Sequence, residues 1–128
     1  TDGISLPNFE NFNSAHAYYS TRAHETIHAT GHEDRLKREF GKRFGDSAYA
    51  MEELVAEMGT AMFCAQIGLQ SEPTQDNIAY LAGWIQKLKE DKKAIITASS
   101  AASKASDWIL KNGGVLGNVN QEQMTEAA

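Results

Sequence analysis

Two histidines four residues apart, with a glutamate beside the first, stand out for their chemistry: His24-Glu25-Thr26-Ile27-His28. On a helix this spacing sets both imidazoles on one face, one turn apart, where together they can hold a metal ion. Glu25 is then angled toward a water on that metal, not toward the metal itself. Zinc lowers the pKa of its bound water and a nearby carboxylate takes the proton, which is the division of labour in a zinc peptidase. In a chain of this composition H-E-x-x-H arises by chance about 1% of the time, so the spacing is a signal. The plain alternative is two surface histidines around an ordinary glutamate.

A catalytic Zn2+ takes a third protein ligand and leaves its fourth position to water. Three residues compete for that role. Asp34 completes H-E-x-x-H-x-x-G-x-x-D, which resembles the metzincin pattern with aspartate in place of the third histidine. His32 lies only four residues beyond His28, past the expected helix end at Gly31, and needs a sharp turn to come back. Glu53 belongs to a second long helix, in Glu53-Leu54-Val55-Ala56-Glu57, with Glu57 one turn on and on the same face. There Glu57 can accept a hydrogen bond from a metal-bound histidine. We select Glu53, because a carboxylate on a second helix resembles the glutamate-zincin arrangement and 24 intervening residues suit an antiparallel return. Met51, Leu54, Val55, Met58, Met62 and Phe63 surround this helix with apolar groups, so its glutamates are partly buried. An unpaired carboxylate is costly there, and a metal relieves the cost. Glu52 points about 100° away from Glu53, so only one of the two faces the site. Asp34 remains the alternative ligand. Two histidines and a carboxylate suit zinc, and also iron, manganese or cobalt.

Other reactive side chains have plainer roles. Tyr19, near the metal helix face, could donate to the oxyanion of a tetrahedral intermediate. Packing of Tyr18 and Tyr19 between helix and sheet is the simpler role. His16, two turns from the metal on nearly the same helical face, is a surface residue or an outer partner of the site. Cys64, in Met62-Phe63-Cys64-Ala65, reads as a small buried hydrophobe, and Trp84 and Trp108 as core. Arg35, Lys37, Arg38, Lys42 and Arg43 form the one basic cluster, but acidic residues interleave with it, as in a solvated connector.

The elements that must position these residues follow from periodicity. Ser14 caps a helix that runs to Gly31. A polar connector with Leu36, Phe40 and Phe44 on one seam leads to Asp46 or Ser47, which caps a second helix ending near Gly68. Thr74 or Asp76 opens a third, with Ile78, Leu81, Ala82, Ile85 and Leu88 as its buried stripe. A fourth runs from Asp91 to Gly113, its serines 99, 100, 103 and 106 interleaved with alanines as a small-residue packing face. Residues 1–13 read as extended, with Ile4 and Leu6 alternating around Ser5 before Pro7, like the last strand of a sheet. The expected fold is therefore mainly α (α+β), an active-site helix plus a glutamate helix with a short N-terminal strand region. Its domain spans 1–112, followed by a polar, flexible tail at 113–128.

The chain has 128 residues and is 41% hydrophobic, with eighteen alanines among them, enough for one modest and mostly helical core. Its net charge of −5 argues against a nucleic-acid phosphate surface. No apolar run is long enough to span a membrane. A lone cysteine fits a reducing compartment, so the expected location is cytoplasmic. The sequence starts without an initiator Met, as expected of a piece of something longer.

The segments YYSTRAHETIHATGHEDRL, YAMEELVAEMGTAMFCAQIG and NIAYLAGWIQKLKEDKKAI together resemble the C-terminal metallopeptidase domain of ArdC-type antirestriction proteins. That zincin-like domain recurs in polyvalent proteins of phages and conjugative plasmids. The resemblance runs from Asp2 to Leu110. It implies a zincin-like fold, zinc on His24, His28 and Glu53, and Glu25 as general base. It also implies single-stranded DNA binding through an N-terminal domain absent from this chain, and protection of incoming DNA from host restriction. Ala29 stands where the family usually has tryptophan, a departure that touches packing or the cleft and not the metal.

The expected function is thus a zinc metallopeptidase acting on a peptide or protein substrate. The rival is a zinc-binding module that inhibits a restriction enzyme by contact, without proteolysis.

Overall fold

The computed structural model describes residues 3–70, 78, 79, 82, 83, 85, 86, 89 and 92–113. Helix α1 (Ala15–Ala29) begins at Ser14, whose extended backbone lets its hydroxyl accept from the Ala17 amide at 3.0 Å. It ends at Thr30, and a tight loop returns the chain through one short turn, α2 (Gly41–Phe44), and a 3-10 turn at Gly45–Ser47. Helix α3 (Ala48–Ile67) follows and stops at Gly68, whose φ of 77° is the left-handed conformation that ends helices at low cost in glycine. The Leu69 amide there reaches back to the Cys64 carbonyl at 2.8 Å. The last long helix is α4 (Lys92–Asn112).

The core is three-sided. Ile27 from α1 meets Met51, Leu54, Val55 and Ala56 from α3, and α4 closes it with Ala94, Ala98, Ala102 and Ala105. Alanines at these spacings make one smooth face, so α4 lies close along α3. Ser106 is buried with them, whereas Ser100 and Ser103 are exposed, so the packing face is alanine. Leu36, Phe40 and Phe44 dock on this core from the connector. Gly59 sets the closeness of α1 to α3, because a Cβ at that position would stand 3.0 Å from two carbons of Ile27. Ile27 is the residue before His28, so this contact presses the histidine helix onto the glutamate helix.

Two expectations fail. Among the described residues there is no strand: residues 3–8 carry no ladder and lead into a 3-10 turn at Phe9–Asn11. A strand needs a partner's amides and carbonyls, and every other regular element described is helical. The tyrosines accordingly pack on rings, not on a sheet. Tyr18 meets Phe9 and Phe12 edge-on at 5.0 and 5.3 Å. The stripe expected on a third helix is also not buried, since Ile78 and Ile85 are 45% and 36% exposed, and Ala82 is exposed too. The alanine side of α4 packs on α3 in the core. Leu81, Trp84, Leu88, the start of that helix and the tail beyond Gly113 lie outside the described residues. Trp108 is half-buried. No helix of the described residues is long and apolar enough to cross a membrane.

Candidate metal centre

Helix α1 presents His24 and His28 one turn apart, and their Nε2 atoms lie 3.1 Å from each other. From α3, Glu53 brings Oε2 to 3.4 Å from His24 Nε2 and Oε1 to 3.1 Å from His28 Nε2. Among the described residues these three form the one group of side chains able to hold a metal ion. Ligand atoms about 2.0–2.1 Å from a tetrahedral ion stand roughly 3.4 Å apart, so the observed separations fit one.

The outer faces of both imidazoles are also engaged. His24 Nδ1 is 3.0 Å from Glu57 Oε1, and His28 Nδ1 is 2.8 Å from Glu52 Oε2. Carboxylates only accept, so each Nδ1 is placed to donate its hydrogen outward, the tautomer in which Nε2 would offer its lone pair to a metal. In that tautomer two lone pairs and the Glu53 carboxylate face one another, a donor set that suits a cation. His24 reflects the same field. Its burial disfavours charge, but the hydrogen bond and charge of Glu57, with Glu53 and Glu25 adding, outweigh this and raise its pKa above the usual histidine value. Burial likewise pushes the Glu52 carboxyl up, yet its bonds to His28 and Arg38 prevail and hold it below the ordinary glutamate range.

Two of these partners correct the sequence reading. Glu52 does point away from the trio, but it serves the far side of His28, so both neighbouring glutamates work at the site. Arg38 is no solvated connector residue, because its side chain is only 7% exposed. It donates through Nε to Glu52 Oε1 at 2.7 Å and through Nη2 to Glu52 Oε2 at 2.9 Å. A signal for Glu52 existed, since a ligating histidine needs an acceptor for its second nitrogen. No spacing rule reaches Arg38, which a loop brings back. Arg35 is also held, donating to the Ala29 carbonyl at 2.6 Å. Arg43 stays exposed, over the Phe44 ring at 5.1 Å.

Glu25 and His28 line an open cleft of about 490 Å³ together with Ala29, His32, Arg35 and the segment Gly3–Ser5. Ala29 is therefore a cleft residue. Asp34 is not brought to the trio. Its side chain is 82% exposed, 3.7 Å from His32 Nδ1, and that nitrogen also accepts from the Asp34 amide. Tyr19 is placed elsewhere too, lining an apolar groove with Ala23, Thr26, Phe63 and Ile67. Burial raises the Cys64 thiol pKa, which keeps it from being a thiolate nucleophile. His16 is exposed.

Comparison with known proteins bears on the family and the fold. Residues 1–101 match the model of a family described as zincin-like metallopeptidase. An uncharacterised protein of Sinorhizobium fredii, y4eC, is 43% identical over 109 residues, 85% of this chain and 36% of its own length. A DNA primase TraC of Escherichia coli is 41% identical over 110 residues, 86% of this chain and 10% of its own. The chain thus spans about a third or less of these curated relatives. Among solved structures, the antirestriction protein ArdC of plasmid R388 superposes in its metal-free form with a TM-score of 0.74 at 42% identity, covering 87% of this chain and 40% of that one. Its Mn(II)-bound form gives 0.67 at 40% identity, with the same coverage. With its two histidines and glutamate converging across two helices, this chain belongs to the zincin-like metallopeptidase family.

Proposed function

We propose that this domain is a metal-dependent peptidase module of an antirestriction-type protein, holding Zn2+ on His24, His28 and Glu53 with Glu25 as general base. The observation that carries the reading is the convergence of His24, His28 and Glu53, with one ligand atom from each within 4.8 Å of the others, beside a cleft that Glu25 lines. When bound, zinc supplies Lewis acidity toward a peptide carbonyl and an acidified water. Glu25 takes the water's proton and passes it to the leaving amine. Glu57 and Glu52 hold the imidazoles by their Nδ1 atoms, so that Nε2 faces inward. The extended segment Gly3–Ser5 and the α1 residues wall the same cleft, which gives a peptide a bed beside Glu25. Support for a bound metal also comes from the Mn(II) form of R388 ArdC, a metal compatible with the same ligands. Binding of single-stranded DNA is assigned, in this reading, to other parts of a longer protein.

A second reading has the metal centre as scaffold only, with protection from restriction arising by contact with the restriction enzyme. The relatives' names favour keeping it in view, since they speak of antirestriction and priming and none of peptide hydrolysis. Glu25→Gln separates the two. It is expected to retain the metal and lose hydrolysis of a denatured protein substrate. Unchanged hydrolysis removes Glu25 from the mechanism, and protection that survives its loss assigns that role to contact.

A further inference from the structure

The buried Arg38 guanidinium makes contacts on every side. Beyond the two bonds to Glu52, Nη1 donates to Thr30 Oγ1 at 2.7 Å, and Nη2 donates to the Ile27 carbonyl at 2.8 Å and leans on that of His28 at 3.4 Å. These last carbonyls of α1 also accept from the Thr30 and Gly31 amides, so the guanidinium adds to the cap at the helix end. We propose that Arg38 is a positioning residue of the metal centre, fixing His28 both through Glu52 and through the helix end that carries it. The inference rests on the reading of His24, His28 and Glu53 as the metal ligands.

Three observations support it. Glu52 Oε2 receives Arg38 Nη2 and His28 Nδ1 together, so the guanidinium fork sets the carboxylate plane and the carboxylate sets the imidazole. A planar fork does this where a lysine, as a point charge, does not. Second, the loop is built around the guanidinium: the Arg38 amide donates to the Gly31 carbonyl at 3.1 Å and the Leu36 amide to that of Thr30 at 2.9 Å. Third, Gly31 is there for space. A Cβ on it would stand 2.8 Å from Arg38 Nη2 and 3.0 Å from Cζ, so the charged group fills the volume a side chain would take. A single methyl at position 31 therefore displaces the guanidinium first, and it also comes within 3.2 Å of the His28 carbonyl.

The test is Co2+ binding by the 128-residue chain, followed by its visible absorption and by competition with Zn2+. Wild type is expected to bind with the absorption of a four-coordinate site. Arg38→Met, Glu52→Gln and Gly31→Ala are each expected to weaken binding roughly 10- to 100-fold and to alter the spectrum. Arg38→Lys should fall between, and the Arg38→Met/Glu52→Gln double variant should be no worse than the poorer single. Wild-type affinity and spectrum in Arg38→Met and Gly31→Ala would overturn the proposal, as would full additivity in the double variant. Should Arg38→Met fail to fold, Arg38→Lys, which keeps the charge and loses the fork, decides. A wild type that binds neither Co2+ nor Zn2+ overturns the ligand reading itself, and this inference with it.

Discussion

At the residue scale, His24 and His28 are alike in having a carboxylate on Nδ1, and the carboxylate behind His28 is bonded in turn to the Arg38 fork. The trio predicts that Glu53→Ala abolishes metal retention while Asp34→Ala keeps it, read by elemental analysis of the purified protein. The pH dependence of the metal-free protein follows from two opposed shifts. His24 has a raised folded pKa, so its contribution is whole below about 6.5 and lost as pH rises through the folded value. Glu52 has a lowered one, so its contribution is whole above about 4.5 and lost as pH falls through the folded value. Metal-free stability, measured as the urea midpoint, is expected to be best between those limits, and Glu52→Gln should flatten the acid side alone. The convergence of His24, His28 and Glu53 was legible because helical periodicity is local and both helices declare themselves. Arg38 was not legible, because its role depends on how a loop folds back, and nothing in the order of residues 31–38 encodes that path.

At the element scale, α1 and α3 hold the site by close approach, and Gly59 is where they touch. Gly59→Ala is expected to cost about 1–3 kcal/mol by overpacking against Ile27, read as a lower thermal midpoint, with weaker metal binding alongside. Ser14→Ala, which removes only the cap of α1, should cost about 1 kcal/mol and leave metal affinity unchanged. The helices were readable from their apolar spacing, α1 also from its Ser14 cap and α3 from Gly68 at its end, whereas Ser47 precedes α3 without a side-chain capping bond. The strand at the N-terminus was misread because alternation in Ile4-Ser5-Leu6 describes a chain ready to pair, and pairing depends on a partner that the described residues do not supply. The stripe around Ile78 and Ile85 failed for a related reason. Periodicity shows that a face is apolar, not which of two apolar faces reaches the core.

At the scale of the whole molecule, one small alanine-lined core supports a site made by two helices, so metal and fold are linked. Zinc at about 1,000 times its dissociation constant should add roughly 4 kcal/mol to unfolding, and a chelator should reverse it, both visible in the thermal midpoint. The origin of the ligands adds a second consequence. Both imidazoles come from α1, and Glu52, Glu53 and Glu57 all come from α3, with one connector between them. A captured ion therefore acts as a removable cross-link that closes the chain into a ring from His28 to Glu53. Only an ion that stayed bound through unfolding would restrict the unfolded ensemble, by roughly 3 kcal/mol as a disulfide would; one that leaves contributes its binding free energy alone. Release of the ion reopens the ring, so metal exchange is expected to be as slow as the parting of the two helices.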